Sequence, residues 1–380
     1  MRQRHTLPYR IKAGLLIMAL AMQGALAQTF VYVANYHKST ISVFQEDHSG
    51  TLRAIQEIRT PSGPESVVID KKGFVITADS LAHAISAYRV NTKNGHLSQT
   101  SVKYEAVRAN PLSVTTTPHG HFVYVANSGD NTVGIYHLGN DGTLTKVGLV
   151  REAPTARPYA VTLTPNGRYV YVANFGNATI AFYKRELGHG HLQALGIFHE
   201  PRGDGPYGMS TGPDGRFLYV ADFRANVLVV LAIGTDGGLS LQDRIAEPFD
   251  HHPDSLVIDP SGRYLFVANT SANDVSIFHI NQSDGRLRHV GHVPTGSYPF
   301  SLTLDAAARF VFTVNFGAGT ISRYRLDHHS GMLSPIGTTA ETPFADPYSI
   351  AALTIPENTA PKAPITPEGP LLPQTSGSPA

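Results

Sequence analysis

A short phrase, an aromatic–aliphatic run closed by Asn or Asp and most often written VYVAN, returns seven times along this 380-residue chain. Its last residue falls at Asn35, Asp79, Asn127, Asn174, Asp222, Asn269 and Asn315, with gaps of 44, 48, 47, 48, 47 and 46 residues. A self-similar unit of this length marks stacked supersecondary modules, none of which buries its apolar face alone. The unit therefore decides the fold class and overrides the two-domain expectation that length alone would give.

One unit reads as four strands. Pro158 to Pro165 (PYAVTLTP) alternates and is rich in β-formers, and Pro165-Asn166-Gly167 is a turn. Arg168 to Asn174 is a second strand, Ala178 to Tyr183 a third, and a Gly-x-Leu corner at Gly190 and Leu192 opens the fourth. Short strands bounded by Gly, Pro, Asn and Asp indicate an all-β protein built from meanders. The first-strand Pro recurs at positions 64, 111, 158, 206, 253, 299 and 347, and the Gly-x-Leu corner recurs from Gly50/Leu52 to Gly331/Leu333. Seven units of four strands predict a seven-bladed β-propeller. The chain ends supply an independent argument. The first VYVAN, Val31 to Asn35, has no Pro-led strand before it, and the last Pro-led strand, Pro347 to Thr354, has no VYVAN after it. Pairing the two completes a last blade from one C-terminal and three N-terminal strands, which closes the ring and removes two open sheet edges.

The flanks read differently. Residues 1–27 carry Arg2, Arg4, Arg10 and Lys12, then an apolar stretch from Ala13 to Met22, then Ala25-Leu26-Ala27, the pattern of a cleaved secretory signal. The propeller is expected over 28–356. Residues 357–380 are Pro-rich and poor in aromatic and β-branched residues, the composition of a disordered tail. We therefore expect a periplasmic or secreted bacterial protein with no transmembrane segment in its mature chain. The sequence has no Cys, which excludes disulfides and a lipid anchor on an N-terminal Cys. A net charge of +1 without a basic cluster gives no reason to expect a nucleic-acid partner. No phosphate-binding loop, dinucleotide fingerprint, G-x-S-x-G or H-E-x-x-H is present, so no cofactor and no metal are expected.

The unit P-x-x-V/L, P-x-G, F/Y-x-Y-V-A-N, T-I/V-x-I/V-Y/F, G-x-L resembles the seven-bladed propellers of the 6-phosphogluconolactonase type. It also resembles the non-enzymatic YVTN-repeat propellers, whose naming motif reads YVAN here. The likeness covers roughly residues 29 to 356, and the absence of Trp sets WD40 repeats aside. The resemblance implies His-bearing signatures just after a first-strand Pro. At those positions this chain reads Gly205-Pro206-Tyr207, with Asp222-Phe223-Arg224 after the second strand, and Arg157-Pro158-Tyr159, with Asn174-Phe175-Gly176.

Propellers expose the start of the first strand and the loop after the second on one face, around the axis. Residues there include Glu65, Tyr159, Tyr207, Asp222, Arg224, Phe300 and Tyr348, an aromatic rim with scattered charges suited to a sugar, a small organic ligand or a peptide. The leading expectation is an exported, lactonase-like propeller that binds a small molecule or a periplasmic protein partner at this rim. The alternative is a lactone hydrolase in which Arg157, His252 and Asp254 carry charge stabilisation and proton transfer, acting on an uncharged sugar lactone. The ring of Asn and Asp closing each VYVAN reads as structural, its side chains bonding nearby backbone, because five amides carry too little charge for a cation. His119/His121, His189/His191 and His328/His329 fall in turns and outer hairpins away from the rim.

Overall fold

The computed structural model describes residues 27–199, 205–246, 251–340 and 346–355. The expected signal segment, apart from Ala27, and the expected Pro-rich tail lie outside those residues. Seven four-stranded antiparallel sheets make up residues Gln28–Ile355. Blades 1 to 6 occupy residues 64–104, 111–151, 158–199, 206–246, 253–294 and 299–340. Blade 7 pairs Pro347–Ile355 with Gln28–Asn35 and continues through Thr40–Glu46 and Leu52–Arg59, so the chain ends meet as the repeat predicts. Every innermost strand begins on the repeated Pro, which has no N–H to leave unpaired at a strand start. Every outermost strand begins on the Leu of the Gly-x-Leu corner.

The second strand of each blade is the core. Phe122–Asn127, Tyr169–Asn174 and their counterparts are buried along their whole length, whereas the outermost strands alternate with solvent. A fully buried aliphatic or aromatic side chain contributes roughly 1.5–3 kcal/mol, so these central strands supply most of the apolar stabilisation. The side chains divide between two neighbours: Val31 and Val33 pack towards blade 6, and Phe30, Tyr32 and Ala34 pack towards blade 1.

The repeated residues lock blade to blade. The aromatic that opens the second strand lies against the Gly of the next blade's corner. A Cβ at Gly95 would stand 2.2 Å from the Phe30 ring, and one at Gly190 would stand 2.4 Å from Phe122. The same contact joins Phe74 to Gly142, Tyr169 to Gly237, Phe217 to Gly285, Tyr264 to Gly331 and Phe310 to Gly50, which completes the circle. Those glycines hold positive φ, a conformation that costs an L side chain. The Tyr two residues on adds a hydrogen bond to the same glycine carbonyl: Tyr32 to Gly95 at 3.0 Å, Tyr124 to Gly190 at 2.8 Å and Tyr219 to Gly285 at 3.1 Å. The phrase and the corner are thus two halves of one contact between adjacent blades. Gly190→Ala is expected to lower stability by about 1–3 kcal/mol, combining φ strain with overpacking on Phe122. Denaturant melts would read this as a lower midpoint at unchanged slope.

Candidate functional site

A main-chain hydrogen bond in each of several blades confirms which ends share a face. The residue after the second strand donates to the residue before the Pro: Ser80 to Gly63 at 2.7 Å, Phe223 to Gly205 at 3.2 Å and Thr270 to His252 at 3.1 Å. These ends surround the axis at one mouth of the ring. In all seven blades the register then skips one residue between the Pro and its second neighbour, as where Pro64 pairs with Asp79 and Ser66 with Ala78. The skipped residues are Glu65, Leu112, Tyr159, Tyr207, Asp254, Phe300 and Tyr348. A bulge of this kind releases a side chain from the ladder and re-aims it. The inner ring of the mouth is therefore a ring of bulge residues.

Four blades pair an aromatic in this ring with an aromatic in the loop after the second strand. Ring centroids stand at 5.8 Å for Tyr159–Phe175, 5.2 Å for Tyr207–Phe223, 4.9 Å for Phe300–Phe316 and 5.7 Å for Tyr348–Tyr36. Tyr159 and Tyr207 stack at 3.7 Å with their hydroxyls hydrogen-bonded, and the Tyr159 and Tyr348 hydroxyls meet at 3.2 Å. Blades 3 and 7 lie on opposite sides of the ring, so tyrosine hydroxyls converge at the axis.

Blades 1 and 5 depart from this pattern together. There an acid replaces the inner aromatic and a hydroxyl replaces the outer one. Ser80 Oγ lies 2.7 Å from Glu65 Oε1 and 3.2 Å from the Gly63 carbonyl. Thr270 Oγ1 lies 3.3 Å from Asp254 Oδ2 and 3.2 Å from the Pro299 carbonyl. Each hydroxyl donates to its carboxyl, an interaction that favours the ionised form. Burial acts in the opposite direction and is the larger effect. It pushes Glu65 up to about 7, against the lowering pull of Ser80, and holds Asp254 well above the usual carboxylate range. Burial, and after it the nearby Tyr348, Tyr207, Asp254 and Glu65, raise Tyr159, which keeps its phenol protonated and able to donate. Two proton-carrying acids and a knot of phenol donors at one mouth can move protons and stabilise an oxyanion.

The sequence-derived candidates divide on this geometry. Glu65, Tyr159, Tyr207, Asp254, Phe300 and Tyr348 share the inner ring. Arg157 and His252 stand one step outside it, in the residue before the Pro, where both hold positive φ (47° and 51°). Asn110, Tyr298 and Asp346 do the same in other blades, so this strain belongs to the repeat and marks no single site. An Asn of the preceding blade accepts from the N–H there: Asn131 Oδ1 from Arg157 at 2.8 Å and Asn226 Oδ1 from His252 at 2.9 Å. The His252 ring bonds Ser271 Oγ at 2.8 Å and packs on Phe223. Asp222 accepts from the Ala225 N–H at 3.0 Å, while the Arg224 guanidinium lies 4.1 Å over the Phe175 ring. Ser80 and Thr270 were not among the sequence candidates. A hydroxyl residue follows the second strand in both acidic blades but also in blade 2, at Ser128, so position alone did not single them out.

The Asn and Asp closing each second strand work differently from expectation. They bond side chains across the hairpin and not backbone alone: Asn35 Nδ2 donates to Thr40 and Ser42 at 3.1 and 2.8 Å, and Asn315 Nδ2 to Thr320 and Ser322 at 3.0 and 2.9 Å. Antiparallel pairing of strands two and three brings these groups together directly. Among the described residues no cluster of three His, Cys, Asp or Glu is placed to hold a metal.

A closed ring of seven four-stranded blades, sealed by pairing the two chain ends, defines a class of propeller. The chain matches the Lactonase, 7-bladed beta-propeller family over residues 21–111 and 74–346 and belongs to it. Similar solved structures include a periplasmic gluconolactonase of Pseudomonas aeruginosa, at 20% identity and TM-score 0.77, with 87% of this chain and 100% of that one covered. A candidate 6-phosphogluconolactonase from Bacteroides uniformis matches at 20% identity and TM-score 0.78, covering 86% of this chain and 99% of that one. At such identities the likeness is one of fold.

Asp79 is fully buried, bonded by Ser86 Oγ at 2.6 Å and pushed up to about 7 by burial. Its folded form holds a proton that the unfolded chain gives up near pH 4, so this group's stabilisation is lost as pH rises from about 4 through 7. Asp79→Asn, which restores the residue of five other blades, should leave stability unchanged at about pH 4 and raise it by roughly 1–3 kcal/mol at pH 8. Thermal melts of both proteins across that range measure the difference.

Proposed function

We propose that this protein hydrolyses a lactone at the channel mouth, with an uncharged sugar lactone as substrate. The observation that carries the reading is the pair of buried acids in blades 1 and 5, each hydrogen-bonded to a hydroxyl in a ring whose other members are four aromatics and Leu112. Family membership and the likeness to a gluconolactonase propeller support it. In this account ionised Glu65 takes a proton from water as the water oxygen attacks the lactone carbonyl. The phenols of Tyr159, Tyr207 and Tyr348 donate to the oxyanion that forms. The ring C–O bond then breaks, and Asp254 gives its proton to the departing alkoxide, leaving a hydroxy acid. Arg157 and His252, at the outer rim, receive the carboxylate product. The aromatic faces pack against the C–H face of the sugar. The likeness to a periplasmic protein and the N-terminal residue pattern support action outside the cytoplasm.

A second reading, binding without turnover, draws on the density of aromatic contacts and on tyrosine hydroxyls that already meet across the axis. One assay separates the two. Hydrolysis of δ-gluconolactone followed by pH-stat should exceed the spontaneous rate and rise with pH through about 7, as Glu65 ionises. Glu65→Gln and Asp254→Asn should each lower kcat by about 10²–10⁴-fold. Background rates with wild-type protein, alongside a saturable thermal shift, would favour binding alone.

A further inference from the structure

Blade 3 breaks the repeat on the face opposite this mouth, and the break places a positive charge without an ion-pair partner among the described residues beside two further cations. The third strand ends on Val90, Leu138, Ile233, Ile280 or Leu326 in five blades, but on Arg185 in blade 3. Arg185 is only 7% exposed. Its Nε donates to the Gly167 carbonyl at 2.5 Å and its Nη1 to the Leu187 carbonyl at 3.4 Å, which orients the guanidinium but does not neutralise it. Blade 7 has Glu46 at this position, and there Arg309 answers the charge at 3.3 Å. A second cation lies in the turn before the second strand, where Arg216 pairs with Asp214 at 2.7 Å in blade 4 but blade 3 sets Arg168 beside Asn166 and blade 5 sets Arg263 beside Ser261. Among the described residues no ion pair involves Arg168, Lys184 or Arg185.

These three cations line one cavity of about 600 Å³, together with Asn166 and Gln193, and Glu186 is the one acid in that lining. The blade 2 turn alongside adds His119 and His121, and Lys72 Nζ sits 3.2 Å from His121 Nδ1. The Lys72 charge first, then partial burial and the charges of His137, His119 and Arg185, hold His121 below its ordinary range. Arg185 thus brings a buried cation, held by the Gly167 and Leu187 carbonyls, to the edge of a cavity that two exposed cations also line.

We propose that this cavity is an oxyanion site for a phosphate-type group, gripped by Arg168, Lys184 and Arg185. Guanidinium forks meet two oxygens at once and Lys184 adds a point charge, while the Asn166 and Gln193 amides can donate to the rest. The volume admits a phosphate ester as well as the free ion.

The test titrates the mature protein with inorganic phosphate against sodium chloride at matched ionic strength, by calorimetry and by the NMR signal of His121. Phosphate should bind saturably and move the His121 titration upward. The double variant Arg168→Gln/Lys184→Gln changes two exposed side chains, and Arg185→Leu installs the residue type of the other blades, so both should fold. Each should weaken phosphate binding at least tenfold while δ-gluconolactone turnover, if present in wild type, is unchanged. A parallel arm uses phosphatidylglycerol against phosphatidylcholine vesicles. Retention on the former, lost in the same variants, would assign the phosphate to a lipid headgroup, whereas binding of the free ion alone would assign it to a soluble ligand. Phosphate that behaves as chloride with no vesicle retention, or variants that bind like wild type, would overturn the proposal.

Discussion

An aromatic ring resting on a glycine of the next blade is the contact on which this architecture depends. It occurs at all seven interfaces, including the two that flank blade 7, in which the chain ends pair. The glycine removes the Cβ that would collide, and the ring fills the space with apolar area that only the neighbouring blade can cover. Tyrosine hydroxyls in the same phrase then satisfy the glycine carbonyls exposed by the tight corner. No blade can complete this contact alone, which couples the seven sheets into a closed body and ties its stability to ring closure.

Uniformity at the interfaces makes departures elsewhere informative. Where every blade repeats an unusual feature, as with positive φ before the first-strand Pro, the feature belongs to the scaffold even though Arg157 and His252 happen to occupy it. Three blades lack the aromatic pair, and blade 2 fills its place with Leu112, an apolar residue, whereas blades 1 and 5 bury an acid. Glu65 with Ser80 and Asp254 with Thr270 place hydrogen-bonded acids at two distant points of the same ring. Burial holds both acids in the protonated form over a range where exposed carboxyls are ionised, and a lactone hydrolase needs such groups near neutral pH.

Much of this was legible in the amino-acid sequence, because the fold rests on residues with few alternatives. The Pro at each inner strand, the VYVAN phrase and the Gly-x-Leu corner each landed where the spacing places them, and Pro347–Ile355 paired with Gln28–Asn35 as the unmatched ends required. The site was legible only in part. Tyr159, Tyr207, Asp254 and Tyr348 could be placed at the mouth, but the bulge that turns them inward is a property of register, invisible in any one strand. Ser80 and Thr270 were passed over because a hydroxyl in a loop is ordinary until its acid partner is found. Arg185 escaped notice for a related reason: only alignment of seven strand ends shows that an arginine stands where valine, leucine or isoleucine belongs.

Site-resolved titration of the side-chain carboxyls by carbon NMR, with Glu65→Gln and Asp254→Asn spectra for assignment, addresses the account at its centre. The account predicts that Glu65 titrates near pH 7 and that Asp254 titrates well above the ordinary carboxylate range. Midpoints near 4 for both groups, as for solvated carboxyls, would contradict it and return the mouth of the channel to a packing role.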